Sequence, residues 1–424
     1  MSTERSEAIA AVVDPKAHAD TPRLNDAYAW LRKNDPLALA EVPGFDPFRI
    51  VTKHADILEV SRDNTLFPYG DFPSTLAPHH AVERGREARA QGRPLIYTLV
   101  QMDEPDHMKY RALTQAWFMP QNVRKLEGRI RELAREAVAR MEALGGECDF
   151  VSEVALHFPL HVIMQILGVP AGDEPRMLKL TQELFGSTDP DLKRKTTAAT
   201  PEEEAVEMQG VLMDFFNYFN ALTESRRADP LDDVASAIAN AQIDGRQISA
   251  FDAVSYYLII ATAGHDTTSS STAGALWALA ERPAELAKVK ADPGLIPGLV
   301  DESIRWTTPV RHFMRSVAAD TELRGQKLSA GDWLMLCYPS GNRDEEVFED
   351  PYAFRVDRSP NRHLAFGYGA HVCLGQHLAK MEMRILWEEL LPRLKSVELN
   401  GAAKLSEANF VNGPKALPIR YAFA

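Results

Sequence analysis

The stretch Phe366-Gly367-Tyr368-Gly369-Ala370-His371-Val372-Cys373-Leu374-Gly375 sets one cysteine among three glycines and next to a histidine. The residues from Leu374 to Met383 read as a helix, which puts Cys373 at a helix entrance. There the positive end of the helix dipole and N–H groups without intrahelical partners both favour thiolate over thiol. A thiolate is a soft ligand for iron, and glycines without Cβ atoms let a flat macrocycle approach the backbone. The same ten residues also fit a glycine-rich turn around a small, inert, buried cysteine. The remainder of the chain has to decide between these.

Composition narrows the classes. Of 424 residues, 45% are hydrophobic and 25% charged, enough for a large core. The length prior allows two or three domains, but no composition break marks a boundary. One domain over 1–424 is therefore expected, mainly α with minor β, with residues 1–35 as a loosely ordered arm ending in a short helix near Leu24–Lys33. The richest apolar run, Tyr256–Ala263, is too short for a membrane span, and the polar N-terminus lacks the pattern of a signal peptide. Cys148, Cys337 and Cys373 are odd in number and without CxxC spacing. That argues against a disulfide framework or a zinc site and for a reducing cytoplasm. A formal charge of −13 argues against a nucleic-acid partner.

Periodicity and punctuation give a coarse map. Leu37–Val42 and Phe48–Val51, separated by Pro43-Gly44-Phe45-Asp46-Pro47, read as a hairpin. Residues 64–100 resist assignment. Helices are expected at Val123–Leu144, Ser152–Leu167, Glu174–Phe185, Glu202–Arg226 and Leu231–Asn240. One long helix is expected from about Ala250 to Ala280, closed by Arg282-Pro283. Two shorter helices lead to Arg305; residues 310–360 and the last thirty read as strands and turns.

Three further constellations carry chemistry. Inside the long apolar helix, Ala261–Thr272 breaks local rules: Gly264 costs about 1 kcal/mol relative to alanine, and a run of Ser and Thr hydroxyls competes for backbone groups. Ala263 and Gly264 leave room for something flat or diatomic. Thr267 lies one turn on, where its hydroxyl reaches the Ala263 carbonyl, and Asp266 adds a carboxylate able to relay protons. A small-residue packing contact is the alternative. His107 and Arg111, at i and i+4, present two donors on one face; with Arg315 and His371 they suit two carboxylates of a cofactor. Glu302 and Arg305 stand at i and i+3 on one helical face, a pairing that by itself is common on surfaces.

Taken in order, HxxxR, AGxDTT, ExxR and FGxGxHxCxG resemble the haem-thiolate monooxygenases, the cytochromes P-450. The resemblance runs from about Leu37 to the C-terminus. It is nearest to soluble bacterial members, in particular the branch hydroxylating α-terpineol, through Gly146–Phe150, Glu174–Gln182, Thr262–Ser271 and Gly375–Lys380. It implies the family's single-domain prism fold and haem b with Cys373 as axial ligand, Phe366, Gly367 and Gly375 packing around it. It assigns His107, Arg111, Arg315 and His371 to the haem propionates, Asp266 and Thr267 to proton delivery toward bound O2, and Glu302–Arg305 to structure.

The activity implied is insertion of one oxygen atom from O2 into a C–H bond of a small apolar substrate such as a terpene alcohol. A cymene-like or fused-ring arene is the alternative substrate. Electrons are expected from an acidic [2Fe-2S] ferredoxin served by a separate reductase, docking near Arg111. Candidate pocket residues are Tyr97, Ile260, Val310, Phe313, Phe410 and Val411; residues 67–100 and 185–206 correspond to the family's most variable regions, which line the pocket and its entrance and have no residue-by-residue match. A haem-binding sensor without turnover and a haem-free helical scaffold are the readings from other classes.

Overall fold

The computed structural model describes residues 3–70, 73–92, 96–194 and 200–424. The fold is mostly helical, with small sheets at its edges. Helices Glu127–Ala143, His157–Leu167, Ala250–Ala263, Asp266–Glu281, Ile296–Thr307 and Gln376–Leu390 pack around one large apolar core. Their apolar residues recur at helical spacing, as with Ile130, Leu133, Ala134, Val138 and Met141, all buried on one face of the first.

The expected hairpin forms: Leu37–Ala40 pairs antiparallel with Phe48–Val51, Leu37 opposite Val51. Phe48–Val51 runs parallel to Trp333–Cys337, which pairs antiparallel with His312–Ser316, making a four-stranded sheet. Alternate residues of a strand face opposite sides, so Phe313 and Arg315 of the last strand point together into the interior cavity.

Three expectations are corrected. Residues 3–35 are no loose arm: Thr3–Val13 and Thr21–Asn34 are both helical. Ala8, Ile9, Val12, Leu24, Tyr28 and Leu31 are buried together with Trp333 in a second core. The stripe is short, and its stability comes from tertiary burial, which sequence periodicity does not reveal. Second, His79–Ala90 is a helix whose only buried residue is Val82, so it has no apolar stripe to read. Parts of the segments left unmatched, residues 71–72, 93–95 and 195–199, lie outside the described residues.

Third, the long helix is two helices, Ala250–Ala263 and Asp266–Glu281, broken at Gly264-His265. Gly264 is required there: a Cβ would lie 2.4 Å from Ile163 Cγ1 and 2.7 Å from the Ile260 carbonyl oxygen. The break leaves carbonyls to satisfy, and two side chains do so. The His265 ring takes the Ala261 oxygen at 3.1 Å, and the Thr267 hydroxyl donates to that of Ala263 at 3.1 Å.

Candidate active site

A cavity enclosing about 1480 Å³ of empty space, its mouth included, lies between the broken helix pair and the cysteine loop. The loop is held open by its own backbone: Cys373 N–H donates to the Phe366 oxygen at 2.9 Å and Gly367 N–H to that of Leu364 at 2.8 Å. Gly369, at φ 73°, passes so close to Ser61 that a Cβ would meet its carbonyl oxygen at 2.1 Å. The helix begins at Gln376, and the N–H groups of Gly375 and Gln376 point at the sulfur. Burial nevertheless raises the Cys373 thiol above its ordinary value, outweighing those N–H groups and the Arg111 charge. The helix entrance alone therefore does not lower the thiol below its ordinary value. Phe366, Gly367, Gly375, Ala263, Gly264 and Thr267 line the same cavity.

At one end of the cavity four predicted donors meet. The His107 and His371 ring centroids are 4.1 Å apart, and the Arg315 guanidinium lies 3.7 Å over the Tyr69 ring, itself 4.9 Å from His371. Arg111 Nη2 donates to the Val372 oxygen at 2.8 Å, and Arg315 Nη1 to that of Met314 at 3.0 Å. The nearest carboxylate, Glu104, stands 3.5 Å from His107 Nδ1. Burial, then Arg315, His107 and Arg111, push the His371 imidazole down to about 2, so it is neutral there. Nε2 of His107 and Nε2 of His371 are buried without partners. Two arginines and two unpaired ring nitrogens thus converge with only Glu104, at the edge of the cluster, paired to any of them among the described residues.

The substrate side is only partly as expected. Ile260, Val310 and Phe313 line the cavity, whereas Tyr97, Phe410 and Val411 do not. Phe410 packs edge-on behind Phe313, its centroid 5.6 Å away. Val411 bridges to Val310 and faces a smaller second cavity. Tyr97 is tied by its N–H to Ser255 Oγ at 3.2 Å and packs on the core outside the cavity. Leu99, Val100, Phe118, Ile163 and Ile259 take their places, and Tyr69 and Glu382 also reach it. Nothing local marks these residues, because their neighbours across the cavity come from distant segments. Asp266 and Thr267 face opposite ways: Thr267 lines the large cavity and Asp266 the small one.

The profile of the family described as cytochrome P450 matches residues 77–292 and 295–417. The chain is 49% identical over 414 residues to cytochrome P450-terp of a Pseudomonas species, covering 97% of this chain and 96% of that protein. It is 32% identical to linalool 8-monooxygenase of Pseudomonas putida, over 93% and 95% of the two. The crystal structure of a cytochrome P450 from Novosphingobium aromaticivorans superposes with a TM-score of 0.89 at 46% identity, covering 99% of both chains. This chain belongs to the cytochrome P450 family.

The family's haem thiolate chemistry fits what the cavity offers. The unbalanced cluster of Arg111, Arg315, His107 and His371 matches two propionate carboxylates in charge and in donors. The cysteine loop presents glycine backbone where a porphyrin face has to lie. Cys148 and Cys337 are elsewhere, and burial pushes their thiols up to about 11 and about 12. None of the three cysteines is disulfide-bonded.

The surface-looking pair Glu302–Arg305 proves fully buried. Arg305 Nε and Nη2 bind the carboxylate in a fork, at 2.8 and 2.7 Å. Arg358, Asn361 and the Arg355 N–H converge on the same oxygens. Arg305 also donates to the carbonyls of Asn342, Pro351 and Ala353, so the pair fastens its helix to the segment leading into the cysteine loop.

Proposed function

We propose that this cytochrome P450 hydroxylates a small, largely apolar terpene or terpene alcohol, taking electrons from a separate acidic ferredoxin. The observation that carries the substrate class is the distal lining: Leu99, Val100, Ile163, Ile259, Ile260, Val310 and Phe313 offer an apolar surface with few fixed polar contacts. Likeness to a protein named for linalool, itself a monoterpene alcohol, supports the same class.

The bound haem supplies dioxygen activation through its thiolate-ligated iron. In this reading Cys373 provides the thiolate, and His107, Arg111, Arg315 and His371 hold the propionates. Apolar residues exclude water and orient the substrate. Asp266 and Thr267 bring protons from opposite sides of the helix break, Thr267 Oγ1 holding its place by its bond to the Ala263 oxygen. Thiols without disulfide partners suit a reducing cytoplasm.

Arg111, the expected docking residue, is half-buried and turned toward Val372, which speaks against it as a contact for a partner. The ferredoxin face is better sought at the groove beneath the cysteine helix, lined by Arg124, Pro297, His377, Lys380 and Arg384. Arg124, neighbouring Lys125 and His377 are exposed there. Local basic groups attract an acidic partner despite the overall charge of −13.

A spectral titration of the ferric holoenzyme with terpene alcohols, terpene hydrocarbons and arenes tests the substrate. Terpene alcohols should displace water from the iron at the lowest concentrations and give a hydroxylated product. Preferential response to cymene or fused-ring arenes would replace this substrate class; binding without turnover would favour a sensor.

A further inference from the structure

His265 lies in the break of the helix pair and is fully buried. Its hydrogen-bond partners determine its protonation. Nδ1 is 3.1 Å from the Ala261 carbonyl oxygen, which can only accept, so Nδ1 carries a hydrogen. Nε2 is 3.0 Å from Asp266 Oδ1 and 3.1 Å from Thr181 Oγ1. The Thr181 hydroxyl stands 3.0 Å from the Leu178 carbonyl oxygen and gives its one hydrogen there. It therefore offers Nε2 only lone pairs.

Every partner of the ring is then an acceptor, and a ring that donates at both nitrogens is an imidazolium. A proton placed on Asp266 Oδ1 instead would leave the Nε2 lone pair facing that of Thr181. The same count gives the opposite answer for His312: its Nδ1 meets the Asn409 oxygen at 2.9 Å, but its Nε2 accepts the Leu76 N–H at 3.0 Å. His312 is accordingly neutral, burial pushing it down to about 4. Burial would lower His265 too, yet the charge and hydrogen bond of Asp266 outweigh it and its value lies above the ordinary one. Among the described residues, Asp266 is the only charged side chain acting on it, with the uncharged Thr181 facing it from the neighbouring helix.

Asp266 Oδ2 is buried and without a partner. Asp266 lines the second cavity with Ser269, whose Oγ is also unpaired, and with Asn412 and Lys415. Lys415 in turn binds buried Asp189 at 2.9 Å and exposed Asp191 at 2.8 Å. Polar side chains thus share the second cavity with the free carboxylate oxygen.

We propose that His265 is a permanently charged imidazolium that holds one oxygen of Asp266 and leaves the other turned to the second cavity, making His265 the positioning residue of proton delivery. The inference rests on the reading of Asp266 and Thr267 given above. The free oxygen is then placed to relay protons from water on that side.

The test uses the ferrous carbon monoxide form of the holoenzyme, which is diamagnetic, with 15N-labelled histidine. The His265 resonances are assigned by their loss in His265→Gln. Both ring nitrogens should stay protonated from about pH 6 to about pH 9, across the ordinary histidine value of about 6.5. An unprotonated Nε2 at neutral pH would overturn the proposal. In turnover, His265→Gln can still donate to Asp266 but carries no charge. Its product yield per electron should fall about 10-fold or more toward the acid side, while wild type stays flat. A flat profile in the variant also overturns it. Asp266→Asn separates the two readings: wild-type coupling there would remove Asp266 from proton delivery, while the nitrogen spectrum still decides the charge of His265.

Discussion

Replacing Glu302 by Gln keeps shape and removes one charge from the interior. Five donor groups converge on the carboxylate: Arg305 Nε and Nη2, Arg358 Nε, Asn361 Nδ2 and the Arg355 N–H, at 2.7–3.2 Å. Whichever oxygen becomes an amide NH2, at least two of these donors then face another donor. Two guanidiniums also remain buried without their counter-charge. Breaking a buried pair in this way costs about 3–5 kcal/mol, a large part of a stability of about 5–15 kcal/mol. Equilibrium urea unfolding followed by circular dichroism measures it, and haem retention should fall in parallel, since the Asn342 side chain beside this network accepts the Leu364 N–H before the cysteine loop. Burial would raise the Glu302 carboxyl, but Arg305, the Arg355 N–H and Arg358 hold it below its ordinary 4.5. Its contribution is thus fully present above about pH 4.5 and lost as pH falls through the lower folded value. A loss under about 1 kcal/mol, as for exposed pairs, would refute this account.

Cys373→His should abolish the spectral signature of thiolate ligation in the ferrous carbon monoxide form, while Cys148→Ser and Cys337→Ser keep it; the reverse would move the ligand. Thr267→Ala should leave reduction intact but divert electrons to peroxide, lowering product per electron by about 10²-fold or more, as read by paired NADH, peroxide and product measurements. Reversing charge at Arg124 and Lys125 should slow reduction by ferredoxin and flatten its fall with salt, without changing substrate affinity. His312, at about 4 when folded against 6.5, makes the unfolded chain bind more protons between those values. Urea stability should therefore drop as pH falls from about 6.5 toward 4, by up to about 3 kcal/mol at full effect, and His312→Gln should lessen the drop.

Glycine spacing, the lone cysteine with its helix, and the out-of-place Ala263-Gly264 and Asp266-Thr267 were enough to identify the family, because such residues are locally unfavourable unless chemistry requires them. Helix Glu174–Phe185 and the Leu37–Val51 hairpin were likewise legible, their apolar periods and proline-glycine punctuation being local properties. Tertiary structure alone decided the rest. Gly264 cannot be exchanged for a larger residue because Ile163 of another helix leaves no room for a Cβ, and Glu302–Arg305 is a buried clamp only because residues 342–361 cover it. Tyr97 and Phe410 stand outside the cavity, and Tyr69 inside, for the same reason: apolar character says that a side chain will be buried, not which distant segments will bury it. The charge of His265 is the extreme case, since it depends on the donors and acceptors that Ala261, Asp266 and Thr181 bring together around one ring.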